Sequence, residues 1–164
     1  MKTLLMMRHA KSSWKEKDLK DHKRPLSKRG KRNAPQMGEL VKEKELLPQL
    51  ILSSDAVRAR QTAELFAEAS GYTGEIKYLD DFYMAEADEY LDELNKVPDD
   101  LERVMIIGHN PGLESLLPML TNRVESLPTA AVAYLNLPIE SWKKLNKKTR
   151  AELIEIWRPK ELEG

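Results

Sequence analysis

The sequence predicts an α/β fold, a three-layer sandwich in which a mostly parallel central sheet is flanked by helices. Two observations predict it: short apolar runs of β type alternate with helical patterns, and the connections between them are short. A third is length, since 164 residues suit one domain, residues 1–164, around one sizeable core.

Taken in order, TLLMM (3–7) reads as a buried strand. Residues 8–26 form a polar excursion. Ser27 is placed to cap a helix running to about Leu47, with Met37, Leu40 and Val41 on one face. Gly30 and Pro35 inside it predict a kink or a late start. LILSS (50–54) is the second strand, DAVRARQTAELFAEAS (55–70) a helix closed by Gly71, and EIKYL (75–79) the third strand. Ala87–Leu94 is helical, RVMIIG (103–108) is the clearest strand, and residues 111–121 form a further helix. AAVAYLNL (130–137) and ELIEIW (152–157) complete the set, the latter alternating at period two.

Absence of cysteine excludes disulfides and thiolate metal sites. The apolar run after Met1-Lys2 is too short for a signal peptide or a membrane span, so a cytoplasmic protein with no membrane partner is expected. Net charge is zero but unevenly spread. Arg8–Arg32 carries eleven Lys/Arg against three Asp/Glu, and Glu75–Glu102 carries eleven Asp/Glu against two Lys. Such runs are ordinarily solvated faces, and the sharper reading is a field that draws an anionic substrate to the basic end. Nucleic acid is not an expected partner, because the basic stretch has one aromatic, Trp14, and no recognisable reading module.

In parallel sheets ligands bind beyond the carboxyl ends of the strands. Strand one ends in Arg8-His9. Strand two ends in Ser53-Ser54, with Arg58 one helical turn on, and strand four ends in Gly108-His109-Asn110-Pro111-Gly112. Asn110 is a natural helix N-cap and Pro111 a natural first helical residue. A cation in the first turn, as at Arg58, opposes the helix dipole unless an anion is bound beside it. Two histidines and two arginines on one sheet edge, with no metal-ligand spacing, nucleophile elbow, P-loop or dinucleotide fingerprint, fit a phosphoryl pocket. In it a neutral imidazole attacks phosphorus and the cations hold its oxygens. His22 has no visible partner and reads as a surface residue.

Arg8-His9-Ala10, SSDAVRARQTAE (53–64) and GHNPG (108–112) resemble the histidine phosphatase, or phosphoglycerate mutase-like, superfamily. The short chain and RHAKSSW…DHKRPLSKRG resemble its small SixA-type phosphohistidine phosphatase branch. The resemblance implies the phosphoglycerate mutase-like fold, His9 as the nucleophile that becomes phosphohistidine, and Arg8, Arg58 and His109 as the groups binding the phosphoryl, His109 in protonated form. It implies no metal and no organic cofactor. Ala10 stands where many members have glycine, and Asp55 where proline is common. Larger members carry an acid after the third strand, for which Asp81 is the closer match here and Asp80 its neighbour.

A weak general acid would restrict the enzyme to labile phosphoramidates, since phosphohistidine leaves well once its imidazole is protonated. The leading expectation is therefore a metal-independent phosphatase acting on phosphohistidine in a protein. The alternatives are a broad phosphomonoesterase for small phosphate esters and a non-catalytic phosphoprotein-binding domain. The chain lacks room for long capping insertions, and Lys11, Lys15, Arg24, Lys28 and Arg29 are expected to form a basic rim guiding an acidic phosphoprotein. Nothing in the surface charge demands a second copy, and a monomer is expected.

Overall fold

The computed structural model describes residues 1–162. One six-stranded sheet, in the order β3-β2-β4-β1-β5-β6, comprises β1 (Lys2–Arg8), β2 (Leu50–Ser54), β3 (Ile76–Leu79), β4 (Arg103–Gly108), β5 (Val132–Leu137) and β6 (Glu152–Trp157). The helices are α1 (Lys28–Glu43), α2 (Val57–Ser70), α3 (Ala87–Leu94), α4 (Gly112–Thr121) and the short α5 (Pro159–Leu162).

The three-layer α/β expectation holds. Parallel pairing is confined to β3-β2-β4-β1, whereas β5 pairs antiparallel with β1 and β6 antiparallel with β5. Period two is common to both pairing modes, so the sequence pattern could not separate them.

Alternation along β1 sorts the core into two layers. Leu4 and Met6 face α3 and α4, where they join Leu94, Leu113, Leu116 and Leu120. Leu5 and Met7 face α1 and α2, where they join Met37, Val41, Ala63 and Phe66. Strands buried on both faces read as continuous apolar runs, as β1 and β4 do.

The side chain of Ser27 accepts the backbone N–H of Gly30 and caps α1, as expected. The helix starts at once at Lys28 despite Pro35, and it ends at Glu43 rather than near Leu47. Gly71 closes α2 at φ 77°, a left-handed conformation that glycine adopts without a Cβ clash. Helix α4 starts one residue later than expected. Pro111 takes the N-cap position, and the Asn110 side chain instead donates to the carbonyl of Leu127 at 2.9 Å.

Candidate active site

β1, β2 and β4 lie side by side and parallel, so their carboxyl ends open on one edge. Arg8 at the end of β1 is paired in register with Gly108 at the end of β4. Arg8, His9, Arg58 and His109 all line one cavity of about 1010 Å³ at this edge. The four residues expected to meet do so.

His9 is 6% exposed. Its Nδ1 lies 2.8 Å from the carbonyl of Ala10. A carbonyl can only accept, so Nδ1 carries the ring proton and Nε2 is left with the lone pair. Burial foremost holds the His9 pKa down to about 3; the Ala10 bond opposes it, and His109 and the two arginines add to the lowering. Near neutral pH the ring is an uncharged base with one defined nucleophilic nitrogen.

The orienting carbonyl is itself fixed. The backbone N–H of Ala10 donates to Thr62 Oγ1 at 3.0 Å, and that hydroxyl donates to the carbonyl of Arg58 at 2.7 Å. Thr62, fully buried one turn beyond Arg58, thus ties the nucleophile's strand to the helix that carries the arginine.

The ring of His109 lies beside that of His9, centroids 4.9 Å apart and planes 53° apart. Its Nε2 is 2.8 Å from Ser54 Oγ. That hydroxyl also accepts the N–H of Ala56 at 3.2 Å, and it keeps both its proton and a second lone pair with which to meet Nε2. Burial, then Arg58, holds His109 down to about 4. The ring is therefore neutral near pH 7, in contrast to the protonated His109 expected from the sequence. The backbone N–H of His109 donates to the hydroxyl of the buried Tyr90 at 3.1 Å. Gly108 makes room for this, since a Cβ there would stand 2.2 Å from the Tyr90 hydroxyl oxygen.

Arg58 is 7% exposed and does not pair with the nearby Asp55. Its Nη1 donates to the carbonyl of Asp21 and its Nη2 to Asp21 Oδ2. Asp21 also accepts from the Tyr83 hydroxyl at 2.6 Å and from Arg24 Nη1 at 3.0 Å. These bonds, the Tyr83 one foremost, hold its carboxyl down to about 2. Arg8 gives Nη1 to the carbonyl of Leu127 at 3.2 Å, while its buried Nε has no partner among the described residues. Buried donors are normally satisfied, so this unpartnered N–H, on a residue that lines the cavity, is an exception to the rule. Burial lowers the Arg8 pKa from its ordinary value without approaching neutrality as a practical matter for a guanidinium.

Asp81 is placed elsewhere. It is exposed in the single turn Asp80–Phe82, outside the cavity lining, and its charge acts on Lys96. The turn after β3 brings neither Asp81, the expected general acid, nor Asp80 into the lining of the cavity that holds His9. Of the expected basic rim, Lys11 and Arg24 line the cavity, but Lys15, Lys28 and Arg29 do not. His22 is not a lone surface residue. It bonds Asp55 Oδ1 at 2.9 Å and packs edge-on to Tyr83 at 4.8 Å. Among the described residues no cluster of His, Asp or Glu is disposed to hold a metal ion.

Sequence reasoning missed Asp21, Tyr83, Tyr90 and Thr62.

The model of the histidine phosphatase superfamily (branch 1) matches residues 4–90. An uncharacterized chloroplastic protein of Arabidopsis thaliana is 34% identical over 150 residues, which cover 86% of this chain and 69% of the relative. Among solved structures, a candidate phosphohistidine phosphatase SixA from Agrobacterium tumefaciens superposes with a TM-score of 0.83 at 28% identity, covering 96% of this chain and 98% of that one. The protein histidine phosphatase SixA complexed with tungstate shares the fold at a TM-score of 0.83 and 19% identity, over 98% of this chain and 99% of that one. With His9, Arg8, Arg58 and His109 gathered at one sheet edge, the chain belongs to the histidine phosphatase superfamily, in its SixA-type branch, and is a phosphatase.

Proposed function

We propose that this phosphatase removes the phosphoryl group from phosphohistidine in a protein, through a phosphohistidine intermediate on His9. The observation that carries the reading is the Nδ1–H bond of His9 to Ala10, which leaves Nε2 unprotonated beside Arg8, Arg58 and His109. Nε2 forms a bond to phosphorus as the bond from phosphorus to the leaving nitrogen breaks. Arg8, Arg58 and His109 hold the three peripheral oxygens while negative charge shifts toward the leaving group. Water then attacks the phosphorus on His9 and releases inorganic phosphate, which restores the neutral ring.

The substrate class follows from the surrounding carboxylates. Asp81 lies outside the cavity, Asp21 is ionised and bonded to Arg58, and Glu86 caps α3 with its side chain. A leaving group that already carries its proton, such as the protonated ring of phosphohistidine, which departs as neutral imidazole, suits this site better than an alkoxide. An open cavity of this size also admits a side chain presented on a protein surface. Location is proposed as cytoplasmic and the state as monomeric; no helix among the described residues is long and apolar enough to cross a membrane.

The test is hydrolysis, with EDTA present, of a phosphohistidine-bearing protein and of an aryl phosphate by wild type and His9→Ala. Faster turnover of the phosphoprotein, lost in His9→Ala, is the expected result. Preference for the aryl ester, or for small alkyl esters, contradicts the proposed substrate.

A further inference from the structure

The walls of the cavity differ from the basic rim that composition suggests. One wall comes from the excursion after β1 and carries Lys11, Trp14 and Arg24. Arg24 is occupied there: it donates to Asp21 Oδ1, to the Ser13 carbonyl and to Ser12 Oγ, and its guanidinium lies under the Trp14 ring, 3.1 Å from the centroid. Lys11 is exposed and forms no ion pair among the described residues, so it is the free cation of that wall. The other wall is the segment before and into α3, with Met84, Glu86 and Asp88. Here the exposed charge is negative, and Glu89, Asp92 and Glu93 continue it along the helix.

Each wall also presents a large apolar side chain to solvent. Trp14 is 67% exposed and Met84 is 77% exposed. Met84 is held at φ 57°, a left-handed conformation that costs a non-glycine residue energy. Two exposed apolar groups over a phosphoryl site, with opposite charges outside them, form a grip for a chain rather than for a small ester.

We propose that the mouth of the site recognises a polypeptide segment that is bipolar in charge, with an acidic residue on one side of the phosphorylated residue, facing Lys11, and a basic residue on the other, facing Glu86 and Asp88. Trp14 and Met84 pack on the segment between these flanks. The proposal rests on the phosphohistidine reading and names the sequence surroundings that reading leaves open. Rim charges act chiefly on encounter and on the rejection of mismatched partners, so they are read in kcat/KM at low salt.

The test uses four phosphohistidine peptides of equal length whose flanks are Asp/Lys, Asp/Asp, Lys/Lys or Gly/Gly. Wild type is expected to favour the Asp/Lys peptide over both unipolar ones by about fivefold in kcat/KM, a preference that fades at high salt. Asp88→Lys should shift the preference toward the Asp/Asp peptide, and Lys11→Glu toward the Lys/Lys peptide. Both side chains are exposed, and a wild-type Tm and circular dichroism spectrum confirm that each variant is folded. The proposal is overturned if the rank order is the same in all three proteins, or if wild type prefers the Asp/Asp peptide. Turnover of the Gly/Gly peptide reports on the phosphohistidine reading by itself: if no peptide is hydrolysed while the aryl phosphate is, that reading fails and this inference fails with it.

Discussion

Arg58 is gripped by Asp21 through two bonds, Nη1 to the backbone carbonyl at 2.8 Å and Nη2 to Oδ2 at 3.1 Å. The two residues lie 37 positions apart, and the pair fixes the plane of a guanidinium that lines the same cavity as His9. Asp21→Ala removes the grip and is expected to lower kcat about tenfold or more, because misplaced cations no longer match the transferring oxygens. Asp21→Asn keeps an acceptor for Nη2 but removes the charge. It should lose less in kcat and bind inorganic phosphate more tightly, since an anion beside the pocket is gone. Steady-state kinetics with phosphate inhibition checks both, and an unchanged kcat in Asp21→Ala contradicts the positioning role.

Much of this site was legible in the sequence, for one physical reason. A strand buried on both faces must stop where polar residues begin, so Arg8-His9 after TLLMM and His109 after RVMIIG marked the sheet edge directly. Asp21, Tyr83 and Tyr90 carry no such mark. Their roles arise where the excursion after β1, the segment after β3 and helix α3 meet Arg58 and His109, and periodicity says nothing of how such segments cross. Asp81 lies outside the cavity lining, and proximity to the end of β3 does not reveal this. The orientation of β5 and β6 was hidden by a period common to parallel and antiparallel strands.

The depressed histidines make stability depend on pH. In the unfolded chain both titrate near 6.5, whereas in the fold His9 lies at about 3 and His109 at about 4. Below 6.5 the unfolded state therefore binds more protons, and stability falls as pH drops from about 6.5 toward those values. Chemical denaturation at pH 7 and pH 4.5 should differ by at least about 2 kcal/mol, on the scale of 1.36 kcal/mol per pKa unit. In the His9→Gln/His109→Gln double variant the difference should shrink. Equal slopes in both proteins would show that the rings are not buried neutral. The Asp21 carboxylate adds a second stabilising contribution, present above about 3.8 and lost as pH falls through about 2.

Thr62→Val keeps the shape of the side chain and deletes the hydroxyl that joins Ala10 N–H to the Arg58 carbonyl. A buried N–H is left without its partner, a loss of about 1–3 kcal/mol in stability. The Ala10 carbonyl that holds His9 Nδ1 is also loosened, so kcat should fall at saturating substrate while the stability loss stays partial. Thr62→Ser, which restores the hydroxyl, is expected to recover most of the rate. Full activity in Thr62→Val would remove Thr62 from the positioning chain.

Tyr90→Phe tests the support beneath His109. It removes the hydroxyl that accepts the His109 backbone N–H, at a cost of about 1–3 kcal/mol, with little change in packing. The expected signature is a larger KM for substrate together with a lower Tm. A variant with wild-type KM would show that His109 is held adequately by Ser54 alone.

The central claim, that His9 Nε2 takes the phosphoryl group, is tested most directly by trapping the intermediate. Enzyme and a ³²P-labelled phosphohistidine protein are mixed and quenched in base within the first turnover, and the labelled peptide is sequenced by mass spectrometry. The account expects alkali-stable, acid-labile phosphate on His9, absent in His9→Ala and prolonged in variants that slow attack by water. Label on another residue, or full turnover with no label on the enzyme at any time, would contradict it.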